Sequence, residues 1–161
     1  MSNTKKGIGY IIILAPFIFI CHFLEEAPGF VSWFNEHVSR DINSRLFWNV
    51  NISALVITII VVLIELISPS VISASLVILW LSFLMLANAI FHITGSMLDK
   101  AYMPGLITAI ILYIPFYFLI IRNIIRGHRM KTPALVSIAF LGALPMLIHG
   151  YMILFIGSRL F

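Results

Sequence analysis

The chain has 161 residues, of which 61% are hydrophobic and 10% charged, with a formal net charge of +4. Soluble domains carry roughly 25% charged residues, so this composition excludes a water-soluble globular fold and indicates an integral membrane protein. The positive excess gathers at segment ends, densest at Arg122, Arg126, Arg129 and Lys131, which reads as a topology signal and not as a nucleic-acid surface.

A membrane-crossing helix needs about 20 mainly apolar residues. Five segments qualify: 7–26, 48–68, 71–98, 104–125 and 132–156. They are too long, and too unbroken in their apolar character, for barrel strands. The expected fold class is therefore all-α: a single domain over residues 1–161, a polytopic five-transmembrane-helix bundle with a short interfacial helix after the first span.

The first segment follows Lys5 and Lys6, runs uncharged from Gly7 to Leu24, and ends in Glu25-Glu26. With no small-residue cleavage site there, it reads as a retained span and not as a signal peptide. The lone Cys21 permits no intrachain disulfide and is expected to be a packed thiol. His22, Glu25 and Glu26 stand at i, i+3 and i+4, on one helix face. Charging such a face in or near a bilayer costs several kcal/mol unless the groups are paired, protonated or bound to a cation. In the following loop, Phe30, Val31, Trp33, Phe34, His37 and Val38 recur at helical spacing among polar residues. This predicts a short amphipathic helix on the membrane surface, read first as an interfacial connector with aromatic anchors and, as the alternative, as a lid over a pocket beside Glu26.

The second span starts with Asn49 and Asn51 and carries Glu65 near its far end, where it is expected at the opposite interface and outside any site. The third holds Asn88 and His92 at i and i+4; the fourth opens with Tyr102 and Thr108; the fifth holds His149. Pro16, Pro115 and Pro145 fall inside spans and predict kinks that neighbouring helices accommodate. Odd-numbered spans run in one direction. At ~1.5 Å per residue, His22, His92 and His149 therefore fall in the bilayer half nearer the 27–47 loop. His37 and His128 lie in connections and are expected in solvent.

Three neutral imidazoles beside carboxylates suit a divalent metal, and an open position would activate water. His22, His92 and His149 are the expected ligands. Glu25 or Glu26 completes the site or acts as general base, and Asn88 orients a ligand or the substrate. Zinc is favoured over iron, because di-iron bundles draw on four carboxylates where this site offers two. A pocket in one leaflet suggests a lipid-like substrate. The leading expectation is thus an intramembrane metal-dependent enzyme, a zinc-type hydrolase acting on a lipid-like or amphiphilic molecule. Two alternatives stand beside it: a metal-free acid/base isomerase or cyclase using a protonated glutamate, and a transporter or binder of protons, metal ions or a small amphiphile. A third is an accessory subunit whose polar cluster only holds helices together.

For five spans, Lys5, Lys6, Arg122, Arg126, Arg129 and Lys131 share one side, against Arg40, Arg45, Lys100 and Arg159 on the other. The positive-inside rule then gives a cytoplasmic N-terminus and an external C-terminus. Five helices can close around one modest pocket, as a monomer or a homodimer. The expected partners are the bilayer and a lipid-like small molecule, not nucleic acid.

H-F-L-E-E at 22–26, N-A-I-F-H at 88–92 and the late His149-Gly150 resemble the HXXEE-motif family of small bacterial membrane proteins. The resemblance spans nearly the whole chain. It implies a bacterial inner-membrane protein with His22, Glu25, Glu26, Asn88, His92 and His149 as its motif set, and it implies no substrate.

Overall fold

The computed structural model describes residues 8–159; Lys5, Lys6 and Gly7, which flank and begin the first expected span, lie outside the described residues. Among the described residues six helices follow in chain order: α1 (Tyr10–Glu26), α2 (Phe30–His37), α3 (Ser44–Ile67), α4 (Val71–Asp99), α5 (Leu106–Arg126) and α6 (Thr132–Ile156). Four of them, α3 to α6, are long and apolar enough to cross a membrane alone. The α1 helix turns by 59° into α2, and counting that pair as one span gives the fifth crossing. The chain is an all-α polytopic bundle.

Local chemistry explains where the helices begin and end. Asn43 caps α3 by accepting from the Leu46 N–H, and Ser70 with Ser73 forms a reciprocal capping box at α4. Pro133 sits in the first turn of α6, where a missing N–H does no harm. Lys100 closes α4 in the left-handed region, φ 55°. Three spans open into π-helical turns: Ser82–Ala87 just before Asn88, Ala109–Tyr113 just after Thr108, and Met152–Ile156 just after His149. Such wider turns rotate the facing of the residues beyond them and recur near functional sites.

The α4 helix is central, burying Ala74, Val77, Ile78, Leu81 and Met85 completely or nearly so. It meets α6 closely at Gly142, where a Cβ would lie 2.8 Å from the Leu79 Cα and clash with the Leu79 carbonyl oxygen. Small residues permit such backbone approach in membranes. On α3, exposed Ile52, Val56, Ile60 and Leu63 form an outward apolar stripe suited to lipid. The end of the described chain returns to α2. Val38 and Ser158 form an isolated antiparallel bridge, Ser39 N–H donates to the Gly157 carbonyl (2.8 Å), and Arg159 N–H donates to the His37 carbonyl (2.7 Å).

Cys21, expected as a packed thiol, is exposed on the outer face of α1. Glu65 lies outside the site near the end of α3 and is buried in protein there: it is 2% exposed and accepts from Arg129 at 2.6 and 3.2 Å and from the Ile8 N–H at 3.0 Å. Arg129 is itself buried and also reaches Ser73 and the Ser70 carbonyl. A charge taken out of water persists only when paired in this way.

Candidate metal centre

The last two turns of α1 turn His22 and Glu26 toward α4. His92 Nε2 lies 3.0 Å from Glu26 Oε1, and His22 Nε2 lies 3.5 Å from the same oxygen. All three side chains are buried, with one ligand atom from each within 4.8 Å of the others. A tetrahedral site with bonds of about 2.0–2.1 Å sets its ligands about 3.3 Å apart, so the two observed contacts bracket that spacing. Neither Nε2 is in hydrogen-bond geometry with any acceptor, although a buried unsatisfied polar group costs about 1–3 kcal/mol.

His22 Nδ1 lies 2.8 Å from Thr108 Oγ1, and that hydroxyl is also 3.3 Å from the Gly105 carbonyl, to which it can donate. With its proton used there, the hydroxyl would accept from Nδ1–H, the tautomer that leaves a lone pair on Nε2. A lone pair facing a carboxylate is unfavourable without a cation or proton between them, and this tautomer is the one that ligates metals. Gly105 closes the cluster from the α5 side. At φ 97°, a Cβ there would sit 2.6 Å from His92 Cε1 and 3.0 Å from both Glu26 Cγ and His22 Cε1. Glycine is needed for conformation and for space.

Glu25 does not join the cluster. Its carboxylate accepts from Tyr102 OH (2.5 Å), Ile107 N–H (3.0 Å) and Thr108 N–H (2.7 Å). It thereby satisfies amides that the start of α5 leaves without intrahelical partners, and it presses the loop bearing Gly105 and Thr108 against the cluster. The Tyr102 phenol is pushed up to about 12 by burial and by its bond to Glu25. His149 is exposed and stands apart from the cluster. With Asn88 it lines a cavity of about 690 Å³ onto which His22 and Glu26 also face. The Asn88 Oδ1 is buried without a partner. Of the six residues expected at the site, three meet, two share the adjoining cavity, and Glu25 braces the site from behind.

The α2 helix roofs that cavity with Phe30 and Phe34. It is held to the end of α4 by Trp33 Nε1–H donating to Asp99 (2.9 Å) and by His37 Nε2 at 3.1 Å from Asp99. His37 is therefore partly buried against a carboxylate and not free in solvent, whereas His128 is exposed as expected, with φ 49°. Gly105, the bond from Thr108 to His22, and Tyr113, whose ring centroid lies 4.2 Å from that of His22, were not legible as site elements. Pro104-Gly105 marks a turn, but spacing carries no sign that the turn folds back over His22.

A family model described as "Protein of unknown function with HXXEE motif" matches residues 13–120. The match takes in His22 to Glu26, Asn88 to His92, Gly105 and Thr108, and stops before α6 and His149. No curated protein and no solved structure matches the chain.

Proposed function

The chain belongs to the HXXEE-motif family, and from its buried His/Glu cluster we propose that it is an intramembrane metal-dependent enzyme, a zinc-type hydrolase of a lipid-like or amphiphilic substrate. One observation carries the reading: two buried imidazole nitrogens, from His22 and His92, converge on one oxygen of the buried Glu26 carboxylate. His22, His92 and Glu26 would hold the ion, a His₂Glu donor set of the kind that leaves one position for water in catalytic zinc sites. The cluster contains one carboxylate, which disfavours di-iron chemistry. The ion, when bound, supplies an acidified water and a Lewis acid for a carbonyl or phosphoryl oxygen.

The chain's own groups divide the remaining work. Thr108 keeps His22 in its ligating tautomer, and Asn88 offers an amide to orient a polar group of the substrate. His149, an ionisable residue on the wall of the same cavity, would exchange protons with the attacking water and the leaving group. Hydrolysis adds water across an ester or amide, giving an acid and an alcohol or amine. In this reading the protein lies in the bacterial inner membrane with a cytoplasmic N-terminus, and the cavity faces the external side. All three donors come from one chain, so the centre needs no second copy.

Elemental analysis of gently purified protein tests the proposal. About one zinc per chain is expected, falling at least tenfold in His92→Ala. Metal-free protein that is fully active, but loses activity in Glu26→Gln, would replace this reading with acid/base isomerisation or cyclisation. The bonding elsewhere disfavours transport: toward the opposite end, Thr58 pairs with Trp80, Ser82 with Tyr117 and Glu65 with Arg129, so these groups are engaged and poorly suited to a relay.

A further inference from the structure

Resting on the reading of the His22–Glu26–His92 cluster as the reacting centre, we infer that the substrate is a single-chain amphiphile with a fixed orientation: its reacting polar group at the cluster, its tail toward the bilayer midplane, and its head at the Arg40–Asp41 rim. The contact between Glu26 and His92 sets α1 and α4 in register, and both helices run in the same direction. One turn deeper come His22 and Asn88, four residues back on each helix. A further turn deeper come Phe19 and Leu84, which form an apolar floor to the same cavity. At ~1.5 Å per residue, Phe19 lies about 10 Å below Glu26.

The opposing wall repeats the order in reverse chain direction. Along α3, the apolar Leu46, Phe47 and Val50 come first, then Asn51, then the deeper Ala54, and all five line the cavity. At the outer end Arg40 and Asp41 belong to the connection between α2 and α3, outside any span, and both are exposed. The lining thus runs along one axis from an outer end that sets Arg40 and Asp41 beside the apolar Phe34, Ile42 and Leu46, through a polar middle, to a floor that is apolar throughout. A hydrophilic substrate has no use for the floor, and a plain hydrocarbon has none for the rim. At about 690 Å³ the cavity lies within the roughly 300–1,000 Å³ typical of sites for one small ligand. A volume of that size suits one chain and not the paired tails of a bilayer lipid.

The test uses the full chain, stripped of metal by chelator, held in amphipol, and titrated with alkyl phosphocholines of graded chain length, with bound ligand counted by native mass spectrometry. Affinity should rise roughly fourfold per added methylene, the equivalent of ~0.8 kcal/mol, and then level off once the floor is reached. Ala54→Trp should bring that plateau earlier by several carbons while short chains bind as before, and Ala54→Leu should do so more mildly, with thermal melts confirming that both variants fold. Affinity that climbs without a plateau, equally in Ala54→Trp, would overturn the inference. So would a two-chain phosphocholine that competes as well as the single-chain series. Zinc content is measured on parallel unstripped samples. Chain selectivity without zinc sinks the metal reading alone, while zinc with unselective binding sinks this one alone.

Discussion

Gly105 carries a constraint that no other residue at the centre shares: its backbone is left-handed, and the space where a Cβ would stand is filled by both imidazoles and the Glu26 stem. For an L-residue the left-handed region costs roughly 1–2 kcal/mol, and here the rings must also move. Gly105→Ala is therefore expected to retain less than a tenth of the wild-type zinc and to melt a few degrees lower, as read by elemental analysis and a thermal melt. Full zinc retention would mean that the loop does not close the centre. At this scale His22, Glu26 and His92 were legible, because i,i+4 spacing and residue depth are both countable. Glu25 could not be told apart from Glu26, since both share the His22 face by spacing. Their roles separate through partners that lie some 80 residues away on α5 or across on α4. His149 matches the others in depth, but depth says nothing about rotation around the helix axis, and its side chain meets the cavity instead of the cluster.

The start of α5 is held by a carboxylate from another helix. Glu25 accepts two backbone amides and a phenol there, and an anion at a helix N-terminus contributes about 0.3–1 kcal/mol when exposed and up to about 2 when partly buried. Glu25→Gln should lower the melting temperature and, by loosening Thr108 and Gly105, weaken zinc binding several-fold. Glu26→Gln should abolish zinc binding without loosening α5. Equal effects of the two substitutions on zinc would place Glu25 in the centre after all. The elements themselves were readable from the sequence: the expected 48–68, 104–125 and 132–156 correspond to Ser44–Ile67, Leu106–Arg126 and Thr132–Ile156, and the aromatic spacing of α2 proved helical. The π-helical turns were not, because a run of uniformly apolar residues looks the same whether the backbone bonds to the fourth or the fifth residue back. The 59° turn between α1 and α2 was hidden for a related reason: Pro28-Gly29 announces a break but not its angle.

Across the whole molecule, the end of the bundle opposite the cavity is drawn together by Glu65 and Arg129, which join α3, the cap of α4, the connection between α5 and α6, and the backbone at Ile8. Removing one member of a buried pair typically costs about 3–5 kcal/mol, whereas replacing both with apolar residues is often neutral. Glu65→Leu and Arg129→Met are each expected to destabilise by about that amount, and the double variant to recover most of the loss, in a double-mutant cycle of thermal or denaturant unfolding. Additive losses would show that the two charges act separately. Zinc content should stay unchanged throughout. The sequence placed Glu65 at the right end of the bundle but could not disclose its partner, since Arg129 reads equally well as a topology signal.

The pairing of Val38 with Ser158, with the bonds from Ser39 to Gly157 and from Arg159 to His37, stitches the far end of α2 to the chain beyond α6, while Asp99 holds its middle. A roof fastened on both sides does not swing outward without peeling the end of the chain from its seat. Besides the Arg40–Asp41 rim, the cavity has an exposed edge on its flank, where Leu46 and Val50 line it. A molecule arriving by that route comes from within the leaflet, so the quantity that governs occupancy is its mole fraction in the surrounding lipid and not its concentration in water.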